Sequence, residues 1–167
     1  LGRDPPGKAI PKKVGLAAVD FAHAPLILTE QGTKRRAGIW MVSGWDEVKV
    51  LDRGGVEPLE DSTNEFSEAL KSENRTLKRA LTDPRIFSGI GNAYSDEILW
   101  QAQMSPVKRT GQLSDGEVVV LHRAVVDSLN TWIDRLRSDT GDDWPKKVTA
   151  FRQDMAVHGK FGEPCPR

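Results

Sequence analysis

Residues 89–92 read Gly-Ile-Gly-Asn and stand directly before an apolar-striped helical pattern. Gly89 and Gly91 permit backbone conformations that a side chain forbids, and they let a second backbone or a ligand approach closely. Asn92 occupies an N-cap position, with Ile98, Leu99 and Ala102 as the buried stripe that follows. The exposed N–H groups of such a helix start are a ready site for a phosphate. The chain must therefore build a tight turn that launches a helix, a device able to hold a nucleic-acid backbone.

The rest of the chain divides around residue 60. Short apolar runs at 14–21 and 26–29, bounded by Gly, Pro and charge, predict strands. A third strand is predicted over 36–42, with Ile39 and Met41 on one face and Trp40 and Val42 on the other. Gly54, Gly55 and Pro58 then break the chain. From Ser62 the pattern is helical: Ser62 with Glu65 makes a capping box, and Phe66, Leu70 and Leu77 carry the apolar stripe. Ser114 with Glu117 repeats that start signal. The spacing of Val118, Leu121, Val125, Leu129, Trp132 and Leu136 predicts a helix over 115–138 with one buried face, ended by Gly141. Pro106, Gly111 and Pro145 mark loops. Trp100, Trp132 and Phe87 fall on helical apolar faces and are expected in the core. His23 and His122 show no partner pattern and receive no role.

Composition narrows the function classes. A length of 167 residues suits one domain or two small ones sharing a core, and 29% charged residues argue for a soluble protein. No apolar run approaches the ~18 residues of a membrane span, and no signal peptide is visible. A single cysteine excludes an internal disulfide and fits a reducing cytosol. The formal net charge of zero counts against nucleic acid as a partner. The distribution answers that objection, because the basic residues cluster: Lys8, Lys12 and Lys13; Lys34, Arg35 and Arg36; Lys71, Arg75, Lys78 and Arg79; Lys108 and Arg109; Lys146 and Lys147. Acidic residues concentrate between Asp46 and Glu68, so segregated signs can still present one basic face.

The segments RTLKRALTD (75–83) and GIGNAYSDEIL (89–99) together resemble the helix-two-turns-helix module of the formamidopyrimidine-DNA glycosylase/endonuclease VIII family. The tail HGKFGEPCPR (158–167) is similar to the opening of that family's C-terminal zinc finger, and LTEQGTKRRA (28–37) extends the resemblance upstream. The resemblance implies an α+β chain: a remnant of an N-terminal β-sandwich at 1–60, a helix-two-turns-helix DNA-binding domain at 61–150, and the start of a zinc finger at 151–167. It implies base-excision repair, with removal of oxidised bases and nicking at the abasic site. In the family an N-terminal proline amine attacks the sugar C1′ to form a Schiff base, assisted by a neighbouring glutamate. This chain opens at Leu1 with neither residue in that context, so both ends look cut, no catalytic residue is carried over, and the chain as given is expected to be inactive. Zinc is implied for the parent protein. Cys165 is one ligand where a structural site needs four, so this chain is expected to hold none.

What carries over is a grip on damaged double-stranded DNA. Asn92 matches the turn asparagine whose amide and neighbouring N–H groups hold phosphate near the lesion, with Gly91 beside it. Lys78 matches a helix lysine on the same side. Arg35 or Arg36 lies where relatives place a wedge into the gap left by the everted nucleotide, although the aromatic that often follows is replaced by Ala37. His158 stands where relatives often carry a phosphate-touching tyrosine. Asp96 and Glu97 suit the helix dipole but would repel DNA, so they are expected to face the protein. Phe151 and Arg152 are expected to line the approach to the zinc hairpin. The segment 142–151 departs from the oxidised-purine loop pattern and leans toward an endonuclease VIII-like member. A monomer in the cytoplasm, nucleoid-associated if bacterial, is expected. A non-catalytic helix-two-turns-helix module remains a second reading. A ribosomal-type RNA-binding protein is a third, disfavoured by the strands and by the Gly-Glu-Pro-Cys tail.

Overall fold

A computed structural model describes residues 10–22, 25–34, 36–141 and 152–167. Strands β1 (Gly15–Asp20) and β2 (Pro25–Thr29) form an antiparallel pair with Ala18 opposite Ile27 and Val19 opposite Leu26. The strand expected over 36–42 does not form. A strand exists only where another satisfies its backbone, and here the Glu30 carboxylate takes the first donors, from Arg36 N–H (2.7 Å) and Ala37 N–H (3.2 Å). The segment runs irregularly, leaving Ile39, Trp40 and Met41 exposed. A short helix α1 (Trp45–Val48) with a 3-10 turn (Lys49–Leu51) follows.

Both capping boxes form. Ser62 launches α2 (Thr63–Lys71): its hydroxyl accepts the Glu65 N–H, and the Glu65 carboxylate accepts the Ser62 N–H at 2.8 Å. Ser114 and Glu117 do the same for α5 (Asp115–Thr140). Leu77 does not continue α2 but opens a separate helix, α3 (Leu77–Leu81), whose first N–H groups donate to the carbonyls of Lys108 (2.8 Å) and Pro106 (3.2 Å). Helix α4 (Asn92–Gln101) packs along α5. The core gathers Phe66 and Leu70 from α2, Leu77 and Leu81 from α3, Ile98 from α4, and Leu121 and Val125 from α5. Phe87 joins it as expected, stacked on Phe66 at 4.6 Å between centroids.

Two apolar assignments shift. Leu136 is 37% exposed, because the 26 residues of α5 outrun the 10 of α4 and, among the described residues, no helix is laid over its last turns. Trp100 is half-buried, with its Nε1–H shielded and unpartnered among the described residues. No helix among the described residues is long and apolar enough to cross a membrane.

His122, which the sequence left without a role, is half-buried against the core. Its ring stacks on Phe66 at 4.7 Å, and its Nδ1 lies 2.9 Å from the Thr63 hydroxyl. Burial pushes its pKa below the usual 6.5. The folded state therefore resists a proton that the unfolded chain accepts, and stability falls as pH drops below about 6.5. Urea midpoints between pH 7 and 5 should decline in the wild type and decline less in His122→Gln. Equal slopes would exclude His122 as the cause.

Candidate nucleic-acid interface

The turn before α4 is built from its upstream side. The backbone of Val56 bridges the next segment, donating to the Ile86 carbonyl (3.0 Å) and accepting the Ser88 N–H (2.8 Å). Asp83 accepts hydrogen bonds from the Arg85 guanidinium and backbone N–H and from Arg75, which hold its carboxyl well below the usual carboxylate range. Gly89 then takes φ +73°, a left-handed conformation costly for any side chain. Gly91 behaves differently from expectation: its backbone is extended (φ −96°, ψ −178°), and a Cβ there would meet open space. The fold itself places no demand for glycine at this exposed position.

Gly91, not Asn92, is the N-cap of α4. An extended glycine serves that role adequately, so the helix begins one residue earlier and Asn92 becomes its exposed first residue. No side chain caps the helix. Its first-turn N–H groups lack intrahelical acceptors and sit at the positive end of the dipole. Such a terminus attracts an anion, and an uncapping Asn92 amide stands beside it.

One turn further along α4, Asp96 and Glu97 point into the protein as expected. Asp96 uses its two oxygens on two partners: Lys78 Nζ from α3 and His158 Nδ1 at 2.9 Å from the tail. Lys78 and His158 are thus brought together, both beside the helix that carries Asn92, and each is paired with a carboxylate. Glu97 is 5% exposed and accepts backbone N–H groups of Ala156 (2.8 Å), Val157 (2.9 Å) and His158 (3.0 Å). Arg152 stacks over Trp132 at 5.5 Å and pairs with Asp139 and Asp154. At the far end of α4 the Arg167 guanidinium lies 4.2 Å from the Trp100 ring centroid and donates to the Trp100 carbonyl at 2.8 Å. Sequence reasoning missed the Glu97 and Arg167 contacts, which join residues about sixty positions apart and leave no local signal.

The pattern of the formamidopyrimidine-DNA glycosylase H2TH domain matches residues 55–142, more than half of the chain. The chain belongs to the formamidopyrimidine-DNA glycosylase family. An uncharacterized formamidopyrimidine-DNA glycosylase-like protein of Mycobacterium tuberculosis is 35% identical over 112 residues, covering 67% of this chain and 69% of that protein. The formamidopyrimidine-DNA glycosylase of Vibrio atlanticus is 33% identical over 138 residues, covering 79% and 51%. Among solved structures, the complex of Lactococcus lactis Fpg with DNA containing an abasic site superposes with a TM-score of 0.76 at 26% identity, covering 99% of this chain and 62% of that one. The chain thus spans about half to two thirds of the length of these relatives.

The remaining positions proposed from the family pattern are placed unevenly. Arg36 is exposed in the loop after β2, whose backbone Glu30 clasps; Arg35 lies outside the described residues, as do Phe151 and the segment 142–151. Cys165 is an exposed free thiol, and among the described residues no three His, Cys, Asp or Glu side chains gather as a metal site.

Proposed function

We propose that this chain grips the backbone of damaged double-stranded DNA, as the DNA-holding part of a base-excision-repair glycosylase that removes oxidised bases and nicks the abasic site by β/δ-elimination. The uncapped start of α4, where Gly91 and Asn92 are exposed and Gly91 is not needed by the fold, carries this reading. Phosphate is taken by the first-turn N–H groups and the Asn92 amide. Lys78 and His158 make further phosphate contacts beside it. Arg36 or Arg35 fills the space of the everted nucleotide.

In this reading 1–60 is part of a β-sandwich domain, 61–150 the DNA-binding domain and 151–167 the start of a zinc finger. Zinc belongs to the whole protein, with Cys165 one of its ligands. The protein acts as a cytoplasmic monomer. Support comes from the names of the relatives and from the abasic-site DNA held by the Lactococcus lactis structure. No residue of this chain is assigned the lyase nucleophile.

A titration against duplexes with and without an abasic-site analogue tests the proposal. Binding should favour the abasic duplex and weaken with salt, with a log–log slope of about −0.9 for each phosphate met by a cation. A flat salt response would sink the backbone grip. Borohydride should trap no adduct on abasic DNA; a trapped adduct would assign the nucleophile to an internal lysine instead.

A further inference from the structure

Glu97 is a buried carboxylate in mid-helix, and its described hydrogen bonds all come from one place: three successive backbone N–H groups of the tail. A buried charge persists only where donors replace its water. Three amides converging on one carboxylate make an anion-holding nest, here filled by the protein's own side chain. The charge is specific to this task. A glutamine of the same shape would place an NH₂ donor against at least one of those N–H donors. The anchored segment is the one that presents His158 to Asp96, and it continues directly into Lys160, which is 30% exposed. Further along, Arg167 fastens the same segment to the C-terminal end of α4.

We propose that Glu97 is a positioning residue for DNA binding. It ties the 156–158 backbone to α4, so that His158 and Lys160 keep a fixed place relative to Gly91 and Asn92 at the start of the same helix. The inference rests on the DNA-gripping function above and names how one face of that grip is assembled from two distant segments.

The full chain carrying Glu97→Gln is compared with wild type and Asn92→Ala by residue-resolved hydrogen exchange and by abasic-analogue duplex binding across about 50–200 mM salt. In Glu97→Gln the amides of 156–158 should exchange about tenfold faster, as expected for losing a charge-assisted hydrogen bond, while α5 core amides keep their rates. Duplex affinity should fall severalfold, and the salt slope should shrink by about 0.9, one phosphate contact. In Asn92→Ala affinity should fall with 156–158 exchange unchanged. Unchanged exchange in Glu97→Gln, or faster exchange with wild-type affinity and slope, overturns the proposal while leaving the DNA reading intact. A wild-type chain that does not bind the duplex overturns both. Should Glu97→Gln fail to fold, Ala156→Pro deletes one of the three donors from the tail side and carries the same expectations.

Discussion

Replacing Asn92 with alanine is expected to weaken binding to an abasic-site duplex by about 1–2 kcal/mol, roughly five- to thirtyfold. The residue is exposed, its helix is capped by Gly91 rather than by its own side chain, and alanine is a good first-turn residue. Stability should therefore stay close to wild type, and the loss should read out in binding alone. Gly91→Ala makes the companion test. Its Cβ meets nothing in the folded chain, and alanine as N-cap costs no more than about 1 kcal/mol of stability. Any larger loss of affinity then reports a phosphate approaching where the methyl now stands. Fluorescence anisotropy on folded proteins decides it. An Asn92→Ala variant with wild-type affinity would remove the amide from the interface.

Phe66→Ala should cost about 3–5 kcal/mol of folding stability. Phe66 is fully buried and stacks on Phe87 and His122, so it joins α2 to α5 and to the segment that leads into the turn. A whole domain is stabilised by only about 5–15 kcal/mol, so the variant should unfold at much lower urea. The effect should extend to the site. Phe87 lies two residues before Gly89, and a cavity beneath it loosens the platform from which the turn springs. A midpoint shift equivalent to less than about 1 kcal/mol would mean that the neighbours collapse into the space and that the platform does not depend on this ring.

The helix starts were legible in the sequence because their chemistry is local. Ser62 with Glu65 and Ser114 with Glu117 satisfy each other's backbone donors within three residues, so no distant partner can change the outcome. The glycine turn was legible for the same reason, but α4 starts one residue earlier than expected, because Gly91 and not Asn92 is its N-cap. The third strand failed because alternation in 36–42 describes only a chain able to pair, and Glu30 takes its leading donors instead. The stripe of α5 was read correctly through Trp132 and overran at Leu136, where burial depends on the length of a different helix.

The sequence by itself determined that a tight glycine turn launches a helix whose start attracts an anion, and that one long amphipathic helix accompanies it. These follow from backbone sterics and from side chains reaching their own chain neighbours. Only the tertiary structure decided which charges stand near that end. Lys78 meets Asp96 across 18 residues, His158 meets the same carboxylate across 62, and Glu97 gathers the tail's amides across about as many. A charge's partner is chosen by which helices cross and where a strap is laid over them. That geometry is set by burial of Phe66, Ile98 and Leu121, which carry no charge and give no sign in the sequence of what they bring together.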